Sequence, residues 1–223
     1  MGEAEIREDS RRVQRQGARL RKGRTLAERR QERRDALLDA AIEVFGTKGY
    51  ASSSIEEICR KAYVSSRDFY AEFANREALL RAVGLQITER VYAALTDVEV
   101  EPGPDLLRRR TWARVAGLVH VLVDDPRVAR IAIVESVGIS ADHEARRLSA
   151  HHLYADWICT YVRDELESKG LDERRQQAFS LALVGAVNEL IVDWILQPPE
   201  ERCSVDELVD VIAELAMVVL LRV

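Results

Sequence analysis

Apolar residues recur along this chain with the spacing of amphipathic helices. Between residues 37 and 45 they fall three and four positions apart, as on one buried helix face. The residues concerned are Leu37, Leu38, Ala41, Ile42, Val44 and Phe45. Gly46 and Gly49 follow, and glycines commonly end helices. The pattern therefore predicts a first helix within residues 33–49.

Two short helices are predicted next, joined by a tight turn. Ser54 and Glu57 have capping-box spacing, so a helix begins there and ends at Lys61-Ala62. Tyr63-Val64 forms the turn. Ser65 or Ser66 caps the second helix, whose Phe69 and Phe73 lie on its inner face and leave Ser66, Arg67, Asp68, Tyr70 and Ala71 on its other sides. This is helix-turn-helix order, in which the second helix enters a DNA major groove.

The segment resembles the DNA-reading domain of the TetR (tetracycline-repressor-like) family of bacterial transcription regulators. About fifty collinear residues carry the resemblance: Ala40-Ala41, Phe45 to Tyr50, Ser54, Ile58, Ala62, Val64-Ser65, Phe69-Tyr70, Phe73 and Asn75 to Leu79. The resemblance implies a three-helix domain at residues 33–80. The DNA-binding residues expected from the motif are Ser54, Ser65, Ser66, Arg67, Asp68, Tyr70 and Arg76.

Two positions depart from the family pattern. Tyr63 stands where the family usually has a turn glycine, and Arg67-Asp68 replaces a common Gly-Thr pair. We expect Tyr63 to keep the left-handed backbone of the turn, with its ring packed on a neighbour to offset the strain. The alternative is a turn rebuilt with negative φ, which would tilt the second helix away from the docking angle of the family. Base preferences of relatives do not transfer to Arg67.

Charge is divided unevenly along the chain. The net charge is −5, but residues 1–90 carry 19 Lys and Arg against 15 Asp and Glu, and residues 91–223 carry 14 against 23. Residues 1–34 alone carry 12 against 6, without a core-forming run. We expect residues 1–32 to be a basic, flexible arm that tracks phosphate or enters a minor groove, through Arg29, Arg30 and Arg33 among others. The alternative is a solubilising tail.

Other function classes find little support in the sequence. No run of 18 apolar residues predicts a membrane span, and no apolar segment after the first charges predicts a signal peptide. Three scattered cysteines fit a reducing cytoplasm better than disulfides or zinc. The four histidines lack metal-ligand spacing, and no phosphate loop or nucleophile motif occurs. We expect no cofactor, no metal and no enzymatic activity.

Residues 81–223 read as helical throughout, so the predicted fold is all-α with a second, larger domain. Breaks occur at the EPGP sequence of residues 101–104, at Asp124-Asp125-Pro126, at Gly170 and at Pro198-Pro199. They delimit helices at about 75–95, 105–123, 126–138, 142–169 and 172–196, and a last helix after Ser204, which has capping-box spacing with Glu207.

The apolar pattern of the last two helices predicts that the chain assembles with a second copy. The helix before Pro198 is apolar on nearly every side, and the final one adds a broad apolar stripe, which one protomer alone would leave exposed. We expect a homodimer built on a four-helix bundle, as the resemblance also implies. The expected interface residues are Leu190, Trp194, Leu208, Ile212 and Val219.

A ligand cavity is expected inside the larger domain, where similar family members enclose one. Candidate lining residues are Trp112, Glu135, Tyr154, Trp157 and Asn188. For each of them, core packing or a surface position is the alternative.

Together these observations predict a cytoplasmic, homodimeric repressor that binds a pseudo-palindromic operator in double-stranded DNA and is released by a small molecule. Ligand binding would move the helix that starts at Asn75. Two alternatives remain open: a DNA-binding regulator without a small-molecule effector, and a helical scaffold or enzyme with a vestigial DNA-binding domain. A filled core favours the first, and failure to bind specific DNA favours the second.

Overall fold

The computed structural model describes residues 25–161 and 170–222, and all regular structure in those two ranges is helical. The elements are α1 Leu26–Lys48, α2 Ile55–Ala62, α3 Ser66–Glu72, α4 Arg76–Thr96, α5 Leu106–Val123, α6 Pro126–Ala129, continued by a wider π-type turn over Arg130–Val134, α7 Ala141–Tyr161, α8 Glu173–Leu196 and α9 Val205–Arg222. The all-α prediction is confirmed.

Helices α1 to α3 pack around a small aromatic and aliphatic core. Leu37 and Phe45 of α1, Ile58 of α2 and Phe69 of α3 are fully buried. Each helix start is held by a side-chain cap, as the sequence predicted: Ser54, Ser65 and Asn75 accept hydrogen bonds from the backbone N–H of Glu57, Asp68 and Ala78. The three helices thus form the expected helix-turn-helix unit.

Helix α1 begins earlier than its buried face indicates. Thr25 caps it, and Glu28 completes a reciprocal capping box with the backbone of Thr25. Residues 26–32, which the sequence placed in a flexible arm, therefore belong to the first helix, because a cap needs no apolar run to start a helix. Residues 1–24, the rest of the expected arm, lie outside the described residues.

The larger part is built mainly from α4, α5, α7, α8 and α9. Helix α5 lies between α4 and α9, and α8 packs along α7. Asp125 and Asp172 cap their helices, and Ser204 and Glu207 form the predicted capping box. Helix α6 is shorter than the predicted 126–138, because its hydrogen bonds widen at Arg130 and the helical path ends at Val134. The predicted extension of α7 to residue 169 lies outside the described residues.

Glu135 joins the two parts instead of lining a cavity, so the ligand role expected for it is wrong. Its Oε2 accepts a hydrogen bond from the Tyr50 backbone N–H at 2.7 Å, and its Oε1 accepts from Arg130 at 3.0 Å. Gly49, with φ of 86°, faces the same carboxylate, and an added Cβ would lie 3.0 Å from Oε2. The end of α6 thereby fixes the loop between α1 and α2.

Three of the five expected interface residues lie inside their own protomer. Trp194, Leu208 and Ile212 are at most 8% exposed, and the Trp194 indole donates to the Cys203 carbonyl at 3.0 Å. Leu190 and Val219 are half-buried. The interface expected for the three buried residues was wrong. When a helix has apolar residues on most sides, its sequence does not show which side faces the core and which side faces a partner.

Helix α8 is long and apolar enough to cross a membrane by length and composition alone. In this fold it is a core helix, because Leu183, Val184 and Ile191 are buried against the rest of the protomer. Its exposed side carries Ala178, Ala182, Gly185, Glu189, Asp193 and Leu196. Two carboxylates on that side oppose a lipid-facing role.

The carboxylate of Glu135 should contribute measurably to stability. Glu135→Ala leaves the part-buried Tyr50 N–H without its acceptor, so we expect the free energy of unfolding to fall by about 1–3 kcal/mol. Urea unfolding followed by circular dichroism measures this. Asp35→Ala, which removes an exposed acceptor of Gln31 on α1, should leave the midpoint almost unchanged. Equal midpoints for Glu135→Ala and the unmodified protein would contradict the role assigned to Glu135.

Candidate nucleic-acid interface and internal cavity

Helix α3 presents a polar face to solvent. Ser65, Ser66, Arg67 and Tyr70 are exposed, while Phe69 is fully buried and anchors the helix from behind. Within the described ranges Arg67 makes no ion pair, so its guanidinium is available to an external acceptor. The helix therefore displays a cation, hydroxyl groups and an aromatic ring on one accessible surface.

Ser65 and Asp68 are engaged with each other at the start of α3. The Ser65 hydroxyl accepts from the Asp68 backbone N–H at 3.1 Å and donates to Asp68 Oδ2 at 2.7 Å. The Asp68 carboxylate is thereby held at the first turn, where it satisfies the helix dipole. The Asp68 carboxylate is thus engaged by Ser65, and no ion pair between it and Arg67 occurs among the described residues.

The arginines of α1 lie beside the end of α3. Arg30 contacts Glu72 through its Nε at 2.9 and 3.0 Å, and Glu72 is nearly buried. Arg34 stacks on the Phe73 ring at 4.7 Å. Arg29 is exposed, and Arg33 is half-buried with an Nε that has no hydrogen-bond partner among the described residues. The first half of α1 thus adds positive charge next to α3.

Arg76 points into the domain. Its guanidinium donates to the Ser53 carbonyl and lies 4.3 Å from the centre of the Tyr50 ring. The arginine therefore ties the start of α4 to the loop before α2. The sequence could not show this inward orientation, because it depends on a contact across 23 positions.

Tyr63 adopts the left-handed backbone expected for the turn, with φ of 55° and ψ of 36°. The turn keeps its shape, and the Tyr63 N–H bonds to the end of α2. The expected packing of the ring was wrong, because the side chain is 97% exposed. The strain of the turn is therefore not offset by contacts of the tyrosine ring.

A cavity of about 640 Å³ lies within the larger part of the chain, bounded chiefly by α4, α5, α7 and α8. Tyr154, Trp157 and Asn188 line it, and Asn188 contacts His151 at 3.1 Å. Burial raises the pKa of Tyr154 and lowers that of His151.

Trp112 does not line the cavity, so the ligand role expected for it is wrong. Its indole donates to Asp210 at 2.8 Å, which joins α5 to α9.

The cavity wall is apolar with a cationic bias that the sequence reading missed. Its described lining contains four arginines, two histidines and no aspartate or glutamate. The arginines are Arg81, Arg114, Arg146 and Arg147. Arg114 shares a face of α5 with Thr111, Val115 and Leu118, and an arginine within such a half-apolar stripe is a signal that could have identified it.

Comparison with known proteins identifies relatives of the first domain and structures with the same fold. Residues 37–83 match the model of bacterial regulatory proteins of the tetR family. The HTH-type transcriptional regulator UidR of Escherichia coli is 38% identical over 63 residues, which cover 28% of this chain and 32% of UidR. The chain thus spans about a third of the length of that relative. The HTH-type regulator TtgW of Pseudomonas putida is 30% identical over 104 residues, which cover 47% of this chain and 72% of TtgW.

A solved structure extends the likeness to the larger domain. The transcriptional regulator FadR from Bacillus subtilis, in complex with stearoyl-CoA, superimposes with a TM-score of 0.63 at 18% identity. The alignment covers 81% of this chain and 95% of that one. At this identity the likeness shows a common fold.

Replacing Tyr63 should stabilise the protein. Glycine adopts positive φ without steric cost, and the exposed ring contributes no packing that would be lost. We expect Tyr63→Gly to raise the free energy of unfolding by on the order of 1 kcal/mol, measured by urea unfolding. Tyr63→Ala removes the ring but keeps the Cβ, so its stability should equal that of the unmodified protein. A loss of stability in the alanine variant would show that the ring does make stabilising contacts.

Proposed function

Because the chain belongs to the TetR family of bacterial regulatory proteins, we propose that it is a DNA-binding transcriptional repressor released from its operator by a small molecule. The observation that carries the proposal is the exposed Arg67 on α3, which pairs with none of the described carboxylates and lies on a helix anchored by the buried Phe69. Short helices presented in this way read base edges in the major groove. The family consists of regulators, which leaves the scaffold and enzyme alternatives without a supporting feature.

The DNA contacts divide into reading and positioning roles. Arg67 and Tyr70 reach bases or the sugar-phosphate backbone, and Ser65 and Ser66 lie where the start of α3 approaches phosphate. Arg29 and Arg33 add phosphate contacts from α1. Four of the expected residues act through the domain. Ser54 caps α2, and Asp68 accepts a hydrogen bond from Ser65, the cap of α3. Arg30 holds Glu72 of α3, and Arg76 holds the Ser53 loop.

A homodimer supplies two copies of α3 to the operator. The exposed side of α8 carries the small residues Ala178, Ala182 and Gly185, and α9 adds an apolar stripe with Val211 and Val218, each about half exposed. Covering these surfaces in a two-fold bundle removes apolar area from water. The dimer would place its recognition helices about 34–36 Å apart, in successive major grooves of a pseudo-palindrome.

The cavity supports control by a small molecule over control by protein partners alone, because a filled core would leave no space for a ligand. Helix α4 begins in the DNA-binding domain at the Asn75 cap and lines the cavity from Leu80 to Leu95. A ligand that fits only one arrangement of α4 would shift the population of DNA-binding conformations. The acyl-thioester complex of the structurally similar FadR supports an amphiphilic effector. A regulator of this kind acts in the cytoplasm.

Specific DNA binding tests the proposal. The DNA that flanks the coding region should contain an inverted repeat, which the full-length protein protects in footprinting. Loss of Arg67 should weaken that binding by about 1–3 kcal/mol and relax preference at one base pair per half-site. Arg108→Ala, which removes an exposed arginine from α5, serves as the control. A protein that retains all DNA equally would contradict the proposed function.

The state of assembly tests the interface. Val211→Glu places a charge on the proposed apolar surface of α9, so we expect it to yield monomers in sedimentation equilibrium and to weaken operator binding. Val137→Glu is a matched control, since Val137 is 57% exposed and belongs to neither α8 nor α9. If the Val211 variant formed dimers of undiminished stability, the interface would lie on another surface.

A further inference from the structure

Arg114 of α5 lines the cavity and forms an ion pair with none of the described carboxylates. Its Nε donates to the Leu95 carbonyl at 2.8 Å, and its guanidinium carbon lies 3.7 Å from the centre of the Tyr161 ring. Trp157 stacks on Tyr161 with ring centres 5.4 Å apart. The terminal Nη1 is buried and has no hydrogen-bond partner among the described residues. Among the described residues, this nitrogen therefore lacks the acceptor that a buried N–H group requires.

The other arginines of the lining differ, because carboxylates outside the cavity already neutralise them. Arg147 bonds with Glu144. Arg146 bonds with Asp142 at 2.9 Å, and Arg81 lies 3.7 Å from the same carboxylate. These three pairs lie near the start of α7, whereas Arg114 contacts Tyr161 at the end of α7, on the opposite side of the cavity. Within the described part of the wall, Arg114 is therefore the arginine without a counter-ion.

Arg114 is half-buried, and burial lowers its pKa, but a guanidinium still remains protonated at neutral pH. A charge that has lost part of its hydration gains from an anionic partner. Carboxylates accept strong, charge-assisted hydrogen bonds from guanidinium groups. A single guanidinium beside aromatic rings suits one carboxylate better than a group with several phosphates.

The rest of the cavity is shaped for an extended apolar body. Its α4 wall runs from Leu80 to Leu95, a distance of about 22 Å at 1.5 Å per residue. Ile87 and Val91 face it between those ends, and a Cβ built on Gly84 would meet no atom within 4 Å. The open space beside Gly84 and the charge of Arg114 thus lie far apart along one continuous wall.

We infer that the effector is an aliphatic carboxylate, with its carboxylate on Arg114 and its chain extended along α4 towards Gly84. This inference rests on the proposed function for the role of the ligand as an effector, but the binding itself does not depend on DNA. The carboxylate would meet Arg114 at the point where this residue holds the Leu95 carbonyl at the end of α4. Ligand binding and the position of α4 are thereby coupled through one side chain.

Three probes of equal chain length test the head-group preference with the full chain and without DNA. Dodecanoate, dodecanol and dodecylammonium differ mainly in the charge of the head group. We expect titrations followed by tryptophan fluorescence, below micelle-forming concentrations, to give the tightest binding for dodecanoate and the weakest for dodecylammonium. Dodecanol binding as tightly as dodecanoate would overturn the inference.

The Arg114→Met variant locates the carboxylate. It keeps the apolar stem, so we expect dodecanoate to bind about tenfold or more weakly while dodecanol binds unchanged or more tightly. Arg108→Met is the matched control, because Arg108 lies on the same helix and stacks on Trp112 at 4.6 Å outside the cavity. An unchanged preference for dodecanoate in Arg114→Met would overturn the placement, provided that circular dichroism shows the native helical content.

A second variant keeps the test independent of the folding of Arg114→Met. Gly84→Phe fills the open space along α4 and should abolish binding of both dodecanoate and dodecanol.

Dodecanoyl-CoA distinguishes a thioester ligand from a free acid. If it bound more tightly than dodecanoate, and if that binding were lost in Arg146→Met and retained in Arg114→Met, the anionic group would lie at the other end of the cavity. This result would overturn the inference. Dodecanoate that binds through Arg114 but leaves DNA binding unchanged would support the site and contradict the effector role.

Discussion

The structure depends on one helix that is buried in both parts of the chain. Helix α4 begins at the Asn75 cap and places Leu79, Leu80 and Val83 in the core shared with α1 to α3. Its later turns place Ile87, Val91 and Leu95 in the core of the larger part. Because both halves of α4 bury side chains in these cores, a tilt at one end of the helix would disturb the packing at the other. This constraint makes a cavity beside α4 relevant to the orientation of α3.

A second contact limits how the two parts can move. The Glu135 carboxylate, at the end of the widened turn after α6, holds the Tyr50 N–H, and Ile131 and Ser136 of the same segment face the cavity. Gly46 of α1 approaches Arg127 so closely that an added Cβ would lie 2.4 Å from the Arg127 Cβ. The DNA-binding domain therefore rests on α6 as well as on α4. A change in the cavity would reach it through two rigid connections.

Charge is organised differently in the two proposed binding regions. On α3, Asp68 is held by Ser65, which leaves Arg67 free for an anion in solvent. Around the cavity, Asp142 and Glu144 lie outside the lining and pair with three of its arginines, whereas Arg114 pairs with none of the described carboxylates. Water and salt screen the charges on α3, so binding there would rest on many weak contacts. The cavity is shielded, so a single ion pair would dominate the choice of ligand there.

The sequence by itself determined the helices, their caps and the helix-turn-helix order, because apolar periodicity and Ser, Asp or Asn caps act within a few residues. It also favoured the left-handed turn at Tyr63, since the flanking residues keep the spacing of the family motif, and the structure confirms this backbone. Only the tertiary structure decided where the side chains of Glu135, Arg76 and Trp112 point, because their partners are 85, 23 and 98 positions away. It likewise decided that Ile212 and Trp194 face inward and that Arg114 lines the cavity with an Nη1 that has no partner among the described residues. Such choices follow from packing between distant helices, which no local pattern contains.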